Sequence, residues 1–132
     1  MNIVVDTSVI IAVITNEKHK KRLIQITKDR DLIAPSSLHW EIGNAISAIL
    51  KRNRITLEQA KIAIGYYLQI PIRYVDVKLE SAIEICMKEN IYAYDAYFIE
   101  CALMQKAPLL SLDNKLIEIA KILGVKIIEV TS

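Results

Sequence analysis

The chain has 132 residues, 53% of them hydrophobic and 24% charged, with 17 lysines and arginines against 15 acids for a net charge of +2. That length allows one core-forming domain without room for a second, and the apolar content excludes a disordered chain. A balance this near neutrality also excludes a protein that grips nucleic acid by overall charge, so any such affinity must come from local patches.

Ile3, Val4 and Val5 make a β-branched run suited to a buried strand and lead straight into Asp6. Thr7 to about Ile14 then reads as a short, largely buried helix broken by Asn16. An acid at the carboxyl end of a parallel strand opens on the crevice where such sheets bind ligands, yet an Asp before Thr-Ser is also an ordinary helix N-cap. For Asp6 alone both readings stand.

Glu17 to Arg30 reads as an amphipathic helix with Leu23, Ile24 and Thr27 inward and Lys18, Lys20, Lys21, Arg22 and Lys28 on a basic exterior. Such a face is either solvated or a phosphate contact. Leu32-Ile33-Ala34 is a brief strand stopped by Pro35. Ser36 or Ser37 caps a helix to about Lys51 whose core face is Ile42, Ala45, Ile46, Ile49 and Leu50. Glu41 and Asn44 are neighbours on the edge of that stripe, although the helix dipole by itself favours a glutamate in the first turn. Trp40 reads as a packing or dimer-surface residue, and His39 points to a different side of the helix from Glu41.

Thr56-Leu57-Glu58-Gln59 is a capping-box pattern, preceded by Lys51, Arg52 and Arg54. It opens a helix with Leu57, Ala60, Ile64, Tyr67 and Leu68 as its apolar positions, closed by Ile70-Pro71. Ile72 to Val75 is the third strand. Asp76 reads as the cap of the next helix, with Leu79, Ala82, Ile83 and Cys86 inward and an end near Asn90. Asp95 begins another apolar helix, packed through Ala96, Ile99, Ala102 and Leu103, and Pro108 marks its exit. Leu109 to Leu112 is a strand, Asp113 starts the last helix, Gly124 stops it, and Val125 to Val130 is a final, edge-like strand.

This alternation predicts an α/β fold: residues 1–132 as one three-layer α/β/α sandwich around a mostly parallel sheet of about five strands. Cys86 and Cys101 lack C-x-x-C spacing and read as buried thiols in a reducing cytosol. With neither a basic-plus-apolar leader nor an apolar run of about 20 residues, the protein is expected to be soluble and cytoplasmic, without a membrane partner. The aromatic residues Trp40, Tyr66, Tyr67 and Phe98 are expected to supply a dimer surface.

Four stretches carry a family resemblance: I-V-V-D-T-S-V-I-I-A, W-E-I-G-N-A, Y-D-A-Y-F-I-E-C-A-L and L-S-L-D-N-K-L. In that order, over essentially the whole chain, they resemble the PIN-domain nucleases, especially the VapC-type toxins of bacterial and archaeal toxin–antitoxin pairs. The resemblance places the family's acidic quartet on Asp6, Glu41, Asp95 and Asp113, and its supporting positions on Ser8, Asn44 and Ser111. Ser111 stands where the family often has threonine, and a hydroxyl is kept. What the resemblance implies is a PIN-like fold and a dimeric, Mg²⁺- or Mn²⁺-dependent endoribonuclease held by a cognate antitoxin.

Carboxylates gathered in one crevice would have a chemical logic of their own. Two of them about 5 Å apart repel by roughly 3 kcal/mol at an effective dielectric of about 20, so a cluster calls for protonation or a hard divalent cation. Oxygen ligands without His or Cys suit Mg²⁺ or Mn²⁺ over zinc, and such an ion can orient a phosphodiester and activate a water. Asp6 and Asp95 are the expected direct ligands, Asp113 a ligand or second-metal partner, and Glu41 the group that orients or deprotonates the water. Ser8, Asn44 and Ser111 would hold those groups in place. Lys20, Lys21, Arg22, Arg52 and Arg54 are expected to guide the RNA substrate. Two other readings are a non-catalytic RNA- or protein-binding module and an aspartyl-phosphate phosphohydrolase. A concentrated negative pocket serves the first poorly, and the second lacks its D-x-D pattern because Ser8 follows Thr7.

Overall fold

A computed structural model describes residues 1–131, in which the chain forms four strands and seven helices. The strands are β1 (Asn2–Val5), β2 (Asp31–Pro35), β3 (Ile72–Val75) and β4 (Leu109–Leu110). The helices are α1 (Thr7–Ile14), α2 (Lys20–Thr27), α3 (Leu38–Lys51), α4 (Leu57–Gln69), α5 (Leu79–Glu89), α6 (Ala93–Gln105) and α7 (Asn114–Ile122). Every ladder is parallel, in the order β3-β2-β1-β4.

That order explains where a ligand can sit. From β1 the chain steps outward to β2 and β3, then returns across the sheet to lay β4 on the free edge of β1. Right-handed crossovers therefore put α1 to α4 on one face and α5 and α6 on the other, which gives the three layers. Helix α6 packs on β1, β2 and β4 with α5 beside it. Direction reverses between β1 and β4, so the crevice beyond their carboxyl ends is the topological switch point of the sheet. Both strands are apolar without alternation, and Ile3, Val4, Val5, Leu109 and Leu110 are all fully buried, as covering on two faces requires.

The sheet has four strands, one fewer than expected. Val125 to Val130 contributes only a single parallel bridge, Leu109 to Ile127, with Leu109 N–H donating to Lys126 O and Ile128 N–H to Leu109 O. With only two residues in β4, there is little ladder for another strand to extend. Helix α2 is shorter than Glu17 to Arg30, ending before Asp29, whose φ of 61° lies in the left-handed region. Strand β2 runs through Pro35 instead of stopping before it. Asp76 does not cap α5; the cap position is Lys78, and Asp76 instead accepts a long hydrogen bond of 3.5 Å from Ser36 Oγ.

Two helices bury only part of the face expected: Ala60, Tyr67 and Ala82 lie inward, and other positions of the stripe do not. In α4 the buried side chains are Ala60, Ala63 and Tyr67, while Leu57, Ile64 and Leu68 face solvent. In α5, Ala82 and Ile85 are buried while Leu79 and Ile83 are exposed. Small residues on the inner face let a helix approach its neighbours closely, which leaves the larger apolar side chains outside. Leu103 of α6 is likewise exposed. Of the aromatic residues expected on a dimer surface, Tyr67 and Phe98 belong to the core, whereas Trp40 and Tyr66 are exposed. Cys101 is buried and Cys86 half-buried, and both are free thiols. Among the described residues no helix is long and apolar enough to cross a membrane.

Candidate active site

Asp6 follows β1 directly and lies at the switch point, where it is only 4% exposed. Its Oδ1 accepts hydrogen bonds from Val9 N–H at 3.2 Å and Ser8 Oγ at 2.6 Å, and its Oδ2 accepts one from Ser111 Oγ at 2.5 Å. Capping of α1 and a place in the crevice are therefore compatible, since the carboxylate has an oxygen for each. Ser8 Oγ in turn accepts from Leu112 N–H, and Ser111 Oγ from Asp113 N–H, each at 2.9 Å. A serine hydroxyl has one hydrogen, and here each points it at Asp6. The network sews the end of β1 to the end of β4 and fixes the carboxylate plane.

Burial pushes the Asp6 pKa up, opposed by the hydrogen bonds from Ser111, Ser8 and Val9 and reinforced by the charge of Asp113. Glu41, half-buried in the first turn of α3, is pushed up to about 7, chiefly by burial, with the charges of Asp95 and Asp6 adding to the rise. The Thr7 and Ser37 hydroxyls lie near enough to pull it back, but neither achieves hydrogen-bond geometry: Thr7 Oγ1, Ser37 Oγ and Glu41 Oε2 are buried without a partner among the described residues. Leaving such atoms unpaired costs about 1–3 kcal/mol each, so this corner favours a proton or a ligand. Asp95, half-buried in the first turn of α6, is raised by burial and then by Asp113, while Lys115 lowers it. Asp113 is exposed and caps α7, accepting from Lys115 N–H at 3.0 Å and Leu116 N–H at 3.3 Å.

The four acids thus come from four separate elements and share one field. Charge acts between Asp6 and Asp113, Asp6 and Glu41, Glu41 and Asp95, and Asp95 and Asp113, which closes a ring. Among the described residues no three His, Cys, Asp or Glu side chains are placed to hold one ion as they stand. In kind, the donors fit a hard divalent cation: their polar neighbours are hydroxyls, amides, other carboxylates and the Lys115 ammonium, and Glu41 Oε2 is buried without a partner among the described residues. Closing around an ion would require the side chains to draw together.

Asn44 sits one turn beyond Glu41 and lines a cavity of about 370 Å³ with Thr7, Trp40, Glu41, Ala45 and Tyr94. Its side chain takes no part in the hydrogen bonds that hold Asp6. Lys20, Lys21 and Arg22 lie at the start of α2, whose cap residue His19 borders a second cavity, of about 360 Å³, with Ser111, Leu112 and Asn114. Arg52 and Arg54 are elsewhere: they follow the far end of α3, and Arg52 is about 16 Å along the axis from Glu41 at 1.5 Å per residue. Two neighbours escaped the sequence reading. Thr7 was hidden by its ordinary place in a helix start. Lys115, the cation felt at Asp95, carried a usable signal, because a lysine in the first turn of a helix opposes the dipole unless acids stand nearby.

These shifts set the sign of a pH effect. The folded Glu41 carboxyl titrates near 7 against an ordinary value of 4.5, so between those values the folded chain binds more protons than the unfolded one and stability falls as pH rises. Raised values at Asp6 and Asp95 act in the same direction. In chelator the melting temperature should drop from about pH 5 to about pH 8, and Glu41→Gln should flatten part of that slope. A profile equally steep in Glu41→Gln would remove burial of this carboxyl as its source.

A family described as the PIN domain matches residues 3–122. No curated protein sequence matches the chain. Among solved structures, PAE2754 from Pyrobaculum aerophilum superposes with a TM-score of 0.73 at 18% identity, covering 96% of this chain and 83% of that one. VapC20 of Mycobacterium tuberculosis, described as a sarcin-ricin loop cleaving toxin, gives 0.65 at 13% identity, covering 96% and 98%. VapBC2 from Rickettsia felis, bound to a DNA fragment from its promoter, gives 0.66 at 14% identity, covering 98% of each chain. At such identities the likeness is one of fold.

Proposed function

Because the chain belongs to the PIN-domain family, we propose that it is a Mg²⁺- or Mn²⁺-dependent endoribonuclease and the toxin of a toxin–antitoxin pair. What supports this reading is that the charges of Asp6, Glu41, Asp95 and Asp113 act on one another pairwise around the end of β1. A module that only bound RNA would be weakened by that field. The fold likeness to VapC20 and VapBC2 supports RNA as substrate and an antitoxin as partner.

In this reading Asp6, Asp95 and Asp113 hold the ion. When bound, a hard divalent cation supplies Lewis acidity toward a phosphodiester and makes a bound water easier to ionise. Glu41 orients the attacking water and takes its proton, a task suited to a carboxyl whose burial raises its affinity for a proton. Ser8 and Ser111 keep Asp6 from rotating, because each holds a different one of its oxygens. Asn44 supports the site from the wall of the Glu41 cavity. Lys20, Lys21 and Arg22 on one side, with Arg52 and Arg54 at greater distance, contact the RNA backbone. Residues 1–132 act as one PIN-like unit, cytoplasmic and homodimeric, with exposed Tyr66 among the apolar side chains free for contacts.

The test is cleavage of RNA by the purified protein in Mn²⁺, in Mg²⁺ and in chelator. Cutting is expected only with the metals, and undiminished activity in chelator would end the metal-dependent reading. Mn²⁺ without RNA should also raise the melting temperature, by the equivalent of about 2.7 kcal/mol at a concentration of about 100 Kd. That gain should vanish in Asp6→Asn.

A further inference from the structure

We propose that Trp40 and Tyr94 form an aromatic clamp that stacks an unpaired nucleobase of the substrate beside Glu41 and Asp95, an inference that rests on the ribonuclease activity proposed above. Each of the two helices that deliver a half-buried acid places an aromatic residue one position earlier: Trp40 before Glu41 on α3, and Tyr94 before Asp95 on α6. One step along a helix is a rotation of about 100°, so each ring stands to the side of its carboxylate. Both rings line the cavity of about 370 Å³ that Glu41 and Thr7 also line. Both are exposed, Trp40 by 75% and Tyr94 by 58%.

Large exposed rings ordinarily sample several rotamers, but these two are braced. His39 meets Trp40 edge-on at 4.8 Å and 83°, and Tyr97 meets Tyr94 at 6.0 Å and 84°. His39 is itself anchored through Nδ1, 2.9 Å from the hydroxyl of the buried Tyr67. A pair of pre-set rings over a polar floor suits a ligand with a flat face and a polar edge. An unpaired base has both, and single-stranded RNA is read by stacking bases on aromatic rings while their edges are hydrogen-bonded. Asn44, one turn from Trp40 on the same helix, offers both a donor and an acceptor at the cavity wall.

Electrostatics favours the same occupant. The ring of acids repels the RNA backbone, and Lys115 is the cation that acts on Asp95. Contacts that do not depend on charge therefore add affinity next to the acids beyond what a bound ion supplies, and stacking is such a contact. A protein partner has better surface elsewhere, on the exposed Leu57 and Leu68 of α4. Thr7, Glu41 and Asn44 give this cavity a polar lining, which an apolar side chain would match poorly.

Trp40 is the sole tryptophan of the chain, so fluorescence excited beyond the tyrosine absorption band reports on that ring alone. In the Asp6→Asn protein, which should bind without cutting, a short single-stranded RNA is expected to quench Trp40 saturably, and an abasic oligonucleotide of equal length is not. In the cutting protein, Trp40→Ala and Tyr94→Ala should each raise KM about tenfold, and Trp40→Phe should recover most of that loss. Equal quenching by the abasic strand, or a KM for Trp40→Ala within about twofold of the parent, would overturn the clamp. So would a changed sedimentation mass for Trp40→Ala with KM unmoved, which would make the ring a self-association surface. Base-dependent quenching in a chain that cuts no RNA would strike the ribonuclease reading and leave the clamp as a binding site. Cleavage without such quenching would strike the clamp alone.

Discussion

Asp6→Asn is expected to lower RNA cleavage about a thousandfold while leaving the chain folded. The size follows from the role: removing a carboxylate that holds the ion forfeits about 4 kcal/mol of charge stabilisation at the reacting phosphate, and each 1.36 kcal/mol is tenfold in rate. Retention of the fold follows from two opposed effects at a residue only 4% exposed. Asparagine keeps an oxygen for Val9 N–H and Ser8 Oγ, but turns an N–H₂ donor toward Ser111 Oγ, which already accepts from Asp113 N–H. The Ser111 hydrogen then loses its acceptor, a cost of about 1 kcal/mol. Against this, the substitution removes a negative charge whose burial is unfavourable and which faces Asp113. The melting temperature in chelator should therefore stay near the parent value, and the Mn²⁺ response should be lost. Cleavage within about tenfold of the parent would take Asp6 out of the chemistry, whatever became of the other acids.

Much of the architecture could be read from local pattern, and what could not has identifiable causes. The buried runs of β1 and β4, the capping box at Thr56 and the stop at Gly124 are each written within a few consecutive residues. Helix α4 shows the limit of that approach, because Leu57, Ile64 and Leu68 form one apolar stripe and Ala60, Ala63 and Tyr67 another. Periodicity identifies both stripes without saying which one faces the core. Val125 to Val130 had strand composition, yet a strand needs a neighbour, and β4 offers two residues. At the candidate site the acids and their supporting serines were expected from the family resemblance, while which group acts on which was not written in local pattern. Ser111 reaches Asp6 across 105 residues of sequence, and Lys115 acts on Asp95 from another helix. Asp6 is the instructive residue, since capping and crevice seemed to compete at the sequence level and its two oxygens accommodate both.

Phe98→Ala should cost about 3–5 kcal/mol of stability, the usual loss when a large aromatic side chain leaves a cavity in a packed core. Phe98 is 2% exposed on α6, the helix that lies across β1, β2 and β4 and carries Asp95 one turn earlier. Against a total of about 5–15 kcal/mol for a domain, that is a large fraction, corresponding to a fall of roughly 10–15 °C in melting temperature. Tyr66→Ala, at an aromatic residue of the same sequence class but 55% exposed, should change stability by no more than about 0.5 kcal/mol. The contrast separates core from surface where the sequence alone did not. Chemistry should respond differently from stability, because Ala96 and Ile99, fully buried on the same helix as Asp95, remain in place. Well below its lowered melting point, Phe98→Ala should therefore still cut RNA, and Mn²⁺ should restore part of the lost melting temperature by binding only the folded state. A melting temperature within about 3 °C of the parent would mean that α6 is seated on the sheet without Phe98, whose burial would then contribute little to stability.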